Sequence, residues 1–197
     1  MTTRIFIVHG WEDSPHNGWV PWLKTERTTL GHEVHALSMP SPESPQIDTG
    51  VNFLRHAVGQ PDKQTIFIGH SIGGQAILRY LMAQPATVQV GGVVQVAAWV
   101  TLKAAALSDD NSIEVATPWL QRPLDWAAIK SRVNRVAAIV SDDDQFVPLA
   151  DADIFKRELG AKIIIEHRKG HISGADGVTR VVSVLKECED MINETVD

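Results

Sequence analysis

The sequence predicts an α/β fold: a mostly parallel sheet of about six strands, with helices covering both of its faces. Short apolar runs recur along the chain, and segments with helical periodicity separate them. Polar or glycine-rich residues follow directly after several of these runs. Because parallel strands are joined by right-handed crossovers, we expect the carboxyl ends of the strands to share one edge of the sheet.

The first half of the chain alternates between strands and helices. The predicted elements are, in order, strand 4–8, helix 19–30, strand 33–37, helix 48–58 and strand 65–69. Gly31 ends the first helix, as a C′ glycine does. Three prolines lie between Ser38 and Pro45, so this segment is predicted to be an irregular connection leaving the end of a strand.

The second half continues the alternation with one interruption. The predicted elements are strand 92–97, a short helix at 125–129, strand 135–140, helix 149–159, strand 162–166 and a closing helix over 178–192. Residues 100–123 lack clean periodicity and contain Pro118 and Pro123, so we expect an irregular excursion over the strand ends. This excursion is too short to form a large lid domain. We therefore expect residues 1–197 to form a single compact domain.

Composition excludes several classes of function. The net charge is −6 and no basic patch stands out, so we expect no nucleic-acid partner. No apolar run approaches the length that crosses a bilayer, so we expect no membrane segment. Cys188 is the only cysteine and cannot form a disulfide within the chain, which favours a cytoplasmic location.

A Gly-x-Ser-x-Gly motif, Gly69 to Gly73, lies between the third predicted strand and a helical pattern. This context is typical of a sharp strand-to-helix turn that exposes a nucleophilic serine, Ser71. The two glycines would avoid crowding of the neighbouring helix and strand. The alternative interpretation is a glycine-rich turn of a dinucleotide-binding domain, in which Ser71 only caps the helix. A phosphate-binding loop is disfavoured, because no Gly-Lys-Ser/Thr follows.

Polar motifs end two further strands. An aspartate cluster, Asp142 to Asp144, follows the fifth strand, and His171 follows the sixth. The order Ser, Asp, His is that of α/β-hydrolases, in which a histidine activates the serine and an aspartate orients the histidine. We interpret Asp142 and Asp143 as solvated turn residues. His70 is interpreted as a packing residue rather than a base.

The chain resembles the small serine hydrolases of the α/β-hydrolase fold that include the retinoblastoma-binding hydrolase and the bacterial YdeN-like proteins. The matching segments are His9-Gly10-Trp11, Asn17 to Leu23, Met39-Pro40, Gly69-His70-Ser71, Arg122-Pro123 with Trp126, Ser141 to Pro148, and Gly170-His171. The resemblance implies a triad of Ser71, Asp144 and His171. Many relatives have proline after the aspartate, where this chain has Gln145.

The resemblance implies a carboxylesterase that cleaves short- to medium-chain acyl esters. By analogy, the oxyanion would be held by the N–H groups of Ile72 and Trp11. His9, Trp99 and Trp119 are candidates for the substrate pocket. The histidine pairs of the chain lack acidic ligands at zinc spacing, so we expect no metal, and we expect no cofactor.

Two alternatives remain open at this point. The first is a binding protein built on a hydrolase scaffold, for which a protein partner is conceivable, since a fold does not fix a function. The second is an amide or thioester hydrolase that uses the same three residues. The sequence does not separate these reactions from ester cleavage.

Overall fold

The fold is taken from a computed structural model, which describes residues 2–194. Six parallel strands form one sheet in the order β2-β1-β3-β4-β5-β6. The strands are β1 (Arg4–Val8), β2 (Glu33–Leu37), β3 (Thr65–His70), β4 (Val90–Val96), β5 (Val133–Ser141) and β6 (Lys162–Glu166). The predicted fold class is therefore confirmed, and the sheet is parallel throughout these strands.

The helices lie between consecutive strands, except for α7, which follows β6. They are α1 (Val20–Thr29), α2 (Ile47–Val58), α3 (Ile72–Met82), α4 (Asp110–Gln121), α5 (Trp126–Lys130), α6 (Asp151–Leu159) and α7 (Val182–Glu194), with a 3₁₀ turn at Ala104–Leu107. Within residues 2–194, no helix is both long and apolar enough to span a membrane.

The sheet is buried on both faces, as its apolar strands require. In β1, Ile5 and Ile7 pack into a core with α1 and α7, while Phe6 and Val8 pack into a core with α2 and α3. This alternation follows from the two-residue period of a strand. The central strand β3 is buried at every position, so its end is a rigid support for whatever follows it.

The excursion between β4 and α5 is more regular than predicted. The segment expected to be irregular contains the twelve-residue helix α4. Asp109 and Ser112 form a capping box at its start, and Val115 and Trp119 lie on its buried face. Pro118 lies inside the helix, three residues before its end, so the amide proton it lacks does not prevent the first two turns from forming.

The closing helix also begins later than predicted. It starts at Val182 rather than at residue 178, and it runs to Glu194. Residues 167–181 instead form a long loop of turns and bends after β6. This extra length lets the loop reach back across the sheet edge, where Trp19 donates a hydrogen bond to the Ile172 carbonyl.

Candidate active site

Ser71 occupies a strained turn between β3 and α3. Its backbone has φ 52° and ψ −124°, and residues other than glycine rarely adopt such a positive φ. The neighbouring glycines make the turn possible, because a Cβ on Gly73 would lie 2.4 Å from the Val8 carbonyl oxygen. A Cβ on Gly69 would lie 2.6 Å from the Gly74 Cα. The glycine requirement inferred from the sequence is thus explained by close backbone approach on both sides.

Ser71, His171 and Asp144 form a hydrogen-bonded row. The Ser71 Oγ lies 2.9 Å from the His171 Nε2, and the His171 Nδ1 lies 2.8 Å from the Asp144 Oδ2. A carboxylate oxygen can only accept, so the imidazole proton belongs on Nδ1. The Nε2 is then free to accept a proton from the serine hydroxyl, which is the arrangement that activates a serine nucleophile.

Asp144 is the buried member of the aspartate cluster. Its side chain is 3% exposed, and its Oδ1 accepts hydrogen bonds from the Phe146 N–H at 2.8 Å and the Val147 N–H at 3.0 Å. The Lys103 ammonium donates to the Asp144 carbonyl oxygen at 2.6 Å. The carboxylate therefore presents its other oxygen to His171 in a fixed orientation.

Asp142 and Asp143 are exposed, in agreement with the prediction, but both are hydrogen-bonded. Hydrogen bonding to His167 holds the pKa of Asp142 below its usual value. The Ser141 hydroxyl, followed by the Gly170 N–H at 2.9 Å, holds the pKa of Asp143 below its usual value. These contacts join the loop after β5 to the loop that carries His171.

Two ring N–H groups hold the backbone next to His171. His70 Nε2 lies 2.9 Å from the His171 carbonyl oxygen, and Trp19 Nε1 donates to the Ile172 carbonyl at 2.9 Å. Ile172 has φ 53°, which is costly for a β-branched residue. Asp176 accepts from the His171 N–H at 3.0 Å. Together these bonds keep the strained segment, and hence the imidazole, in place.

His70 has a neutral ring at ordinary pH. Burial, and then the adjacent His171, lower the pKa of His70 to about 4. A neutral ring carries one N–H, and the carbonyl oxygen of His171 can only accept, so the proton lies on Nε2 of His70. His70 was predicted to be a packing residue, and the structure adds a hydrogen bond to the segment that carries His171.

A cavity of about 610 Å³ opens above the row. Its apolar lining includes Trp11, Ile72, Trp99, Leu102 and Phe146, and its polar lining includes Glu12, Asp13, Asn17, Asp109 and Asn111. A volume of this size accommodates a small organic substrate.

The predicted pocket residues are divided between two cavities. Trp99 lines the large cavity together with Ser71. His9 and Trp119 instead line a much smaller neighbouring cavity, and they are absent from the lining of the first. His9 is turned away because its Nε2 accepts from the Met39 N–H at 3.0 Å, while Trp119 Nε1 donates to the Pro45 carbonyl at 2.9 Å. Both residues predicted to hold the oxyanion, Trp11 and Ile72, line the large cavity.

Asp151 supports one wall of the cavity and was not identified from the sequence. It is 1% exposed at the start of α6. Its Oδ2 accepts from the Val100 N–H at 2.6 Å and the Thr101 N–H at 2.8 Å, and its Oδ1 accepts from the Thr101 hydroxyl at 2.6 Å. These bonds fix the chain immediately after Trp99. Such a contact joins residues about fifty positions apart, so no local pattern reveals it.

No group of three or more histidine, cysteine or acidic side chains within residues 2–194 is arranged to hold a metal ion. The cavity offers hydrogen-bonding, apolar and carboxylate groups. The chemistry available from the row itself is proton transfer and attack by a hydroxyl.

Known proteins are similar to this chain over nearly its whole length. A putative hydrolase of Bacillus subtilis, YdeN, is 28% identical over 91% of this chain and 90% of its own length. The serine hydrolase RBBP9 of Rattus norvegicus is 28% identical over 88% of this chain and 89% of its own. The crystal structure of the B. subtilis ydeN product superposes with a TM-score of 0.86 at 24% identity, covering 98% of this chain and all of the other.

The match to a family is equally extensive. The sequence model of the serine hydrolases spans residues 5–188, from the first strand to the closing helix. That range contains the strained turn, the aspartate cluster and the histidine loop. This chain therefore belongs to the serine hydrolase family.

Proposed function

We propose that the protein is a carboxylesterase that cleaves short- to medium-chain acyl esters through an acyl-enzyme. The single observation that carries this proposal is the hydrogen-bonded row Ser71–His171–Asp144, with separations of 2.9 and 2.8 Å, at the floor of an open cavity. Within a serine hydrolase, such a row supplies an activated hydroxyl together with a base that can return the proton to a leaving group.

The proposed reaction has two halves. The Ser71 Oγ attacks the ester carbonyl while His171 Nε2 takes the hydroxyl proton. His171 then gives that proton to the departing alcohol as the carbon–oxygen bond of the ester breaks. In the second half, His171 deprotonates a water that attacks the acyl carbon, and the proton returns to Ser71 as the acid leaves. Asp144 orients the imidazole and stabilises its cation.

The tetrahedral oxyanion would be held by two backbone N–H groups. Ile72 is the first residue of α3, so its N–H has no partner in the helix and lies at the positive end of the helix dipole. The second donor would be the Trp11 N–H. A Cβ on Gly10 would come within 3.3 Å of the Ser71 Cβ, so the loop after β1 runs directly beside the serine. One such donor contributes about 3–4 kcal/mol of transition-state stabilisation.

The size and the apolar lining of the cavity favour esters with short or medium acyl groups. Trp99, Leu102, Ala106 and Phe146 provide an apolar lining close to the row. A volume of about 610 Å³ is sufficient for an ester of moderate size.

A fluorophosphonate probe tests the role of Ser71. We expect wild-type protein to be labelled and Ser71→Ala to remain unlabelled, with hydrolysis of p-nitrophenyl acetate, butyrate and octanoate lost in the same variant. Ser108→Ala is a matched control, because Ser108 also lines the cavity but lies outside the row. Labelling that persists in Ser71→Ala would remove Ser71 as the nucleophile.

The same panel separates the alternatives. Amide and thioester analogues of the butyrate ester are measured beside it, and the proposal requires the ester to have the highest kcat/KM. A protein with no turnover of any acyl substrate, which still retains a protein partner in pull-downs after Ser71→Ala, would instead be a binding protein on this scaffold.

A further inference from the structure

The cavity has two chemically different sides, which follow from strand order. Ser71 ends β3, the strand between β1 and β4. The loop after β1 supplies Glu12, Asp13 and Asn17 on one side. The excursion after β4 supplies the other side, with Trp99, Leu102, Ala105 and Ala106 and, further along the chain, Ser108, Asp109, Asn111 and Ser112. The β1 side of the serine therefore carries two carboxylates, whereas the excursion side combines an apolar segment, residues 99–106, with a polar one, residues 108–112.

The histidine loop lies against the acidic side. A Cβ on Gly18 would come 3.1 Å from the Gly174 N, so the loops after β1 and β6 are in direct backbone contact. Asp13 Oδ2 lies 4.0 Å from His70 Nδ1, and the His70 ring packs on His171 at a centroid distance of 5.1 Å. The proton donor of the proposed reaction is thus separated from the Asp13 carboxylate only by the ring of His70.

The charge of the lining has one sign. Glu12, Asp13 and Asp109 line the cavity, whereas none of the lining residues in the described part of the chain is a lysine or an arginine. The nearby ammonium of Lys103 is held by the Asp144 carbonyl. Glu12 is exposed, and its carboxylate has no hydrogen bond or ion pair within residues 2–194. Its charge is available to a ligand.

We propose that this site selects esters whose alcohol part carries a positive charge, such as an alkylammonium group. The inference rests on the proposed ester hydrolysis. His171 must reach the leaving oxygen to protonate it, so the alcohol lies on the side of His171 and the β1 loop, and the acyl chain lies along the apolar segment 99–106 of the excursion. A cleft lined with one sign of charge concentrates ligands of the opposite sign. Trp11, on the same loop, also lines the cavity and adds an aromatic ring to the cation site.

Binding to Ser71→Ala tests the charge preference without requiring turnover. The probes are butyrylcholine, its uncharged isostere 3,3-dimethylbutyl butyrate, and the anionic 4-butyryloxybutanoate. We expect the cationic ester to bind roughly ten times more tightly than the neutral one, and the anionic ester to bind most weakly. This ratio should shrink as sodium chloride is raised, because salt screens charges at an open site.

Two variants locate the effect. In the Ser71→Ala background, Glu12→Gln and Asp13→Asn should each lower the cationic-to-neutral ratio, and both amides keep the shape of the side chain. After Asp13→Asn, the side-chain amide oxygen can still accept from Ser14 and Asn17, as the Asp13 Oδ1 does. Glu26→Gln is the control, because it removes the same charge from an exposed position of α1 outside the cavity. It should leave the ratio unchanged.

The outcomes separate this inference from the proposed reaction. A binding ratio near one, or a preference for the anionic ester, would overturn the charge preference even if wild-type protein hydrolyses the neutral ester. A high ratio that falls in Glu12→Gln and Asp13→Asn would support the charge preference. If the wild type then turned over none of the three esters, the hydrolysis would be overturned and the cation site would stand.

Discussion

The His70 Nε2 lies 2.9 Å from the backbone carbonyl oxygen of His171, and so the residue before the proposed nucleophile is bonded to the residue proposed as its base. The two residues are 101 positions apart in the chain. Both ends of the Ser71–His171 hydrogen bond therefore depend on one rigid point, the end of β3. A loop that would otherwise move independently of the serine is tied to the same strand end.

Removal of this bond should reduce turnover more than binding. In His70→Ala we expect kcat to fall by roughly tenfold to hundredfold with little change in KM, because the imidazole loses its register with Ser71. His70→Gln is the control, since its amide can donate from nearly the same position, and it should recover part of kcat. Equal losses in both variants, or a loss confined to KM, would contradict a positioning role.

Asp144 and Asp143 provide a direct comparison between neighbouring carboxylates. Asp144 is 3% exposed and bonded to His171, whereas Asp143 is exposed and bonded to Ser141 and Gly170. Asp144→Asn should lower kcat on the order of 10⁴-fold, because an amide favours the wrong imidazole tautomer. Asp143→Asn should retain most of the activity. Steady-state kinetics of both variants on one ester shows which aspartate orients His171. A larger loss of kcat in Asp143→Asn than in Asp144→Asn would assign that role to Asp143.

The buried ring of His70 should make stability depend on pH. Its folded pKa is about 4, against 6.5 for the ordinary side chain. Between these values the unfolded chain binds a proton that the folded protein does not. The free energy of unfolding therefore falls as the pH falls through this window, by up to about 3 kcal/mol.

Urea denaturation of wild type and His70→Gln measures this contribution. The variant cannot titrate at this position, so it should lose less stability than the wild type between pH 7 and about pH 4.5. The two chains differ only at position 70, so the difference between their stability curves isolates the contribution of His70. A difference between the two proteins that stays constant with pH would show that His70 titrates normally.

Local signals were sufficient to predict the strand ends and the turn at Ser71. A glycine pair around a serine, between an apolar run and a helical pattern, has few structural solutions, and the Gly73 contact with the Val8 carbonyl shows why. The chain order Ser, Asp, His pointed to Ser71, His171 and the aspartate cluster, and the family resemblance singled out Asp144 within that cluster. Their chemical roles stay predictions.

The supporting contacts could not be predicted in the same way. Trp19 and Ile172 are joined over 153 positions, and the sequence indicated only that Trp19 begins the first predicted helix. The helix α4 was missed for a different reason. Its capping box, Asp109 and Ser112, lies within an acidic run. Pro118 suggested that the helix would be interrupted, but the proline lies in the last turn, where the helix accommodates it.

Asp151 and Asp153 allow a matched test of the cavity wall, because both lie in the first turn of α6 and interact similarly with its helix dipole. Asp151 is buried and accepts three hydrogen bonds from Val100 and Thr101, whereas Asp153 is exposed. Asp151→Asn should lower the free energy of unfolding by about 2–4 kcal/mol, because an amide group replaces one of the two buried carboxylate oxygens that accept these hydrogen bonds.

The same variant should alter substrate preference. Residues 100–101 follow Trp99 directly, so a loosened wall should raise KM for butyrate esters more than for acetate esters. Asp153→Asn should change stability by less than about 1 kcal/mol and leave the KM ratio as in wild type. Chemical denaturation together with kinetics on the two esters checks both effects. If the two variants lost equal stability, the stabilising effect of Asp151 would come from the helix dipole and not from its hydrogen bonds to the cavity wall.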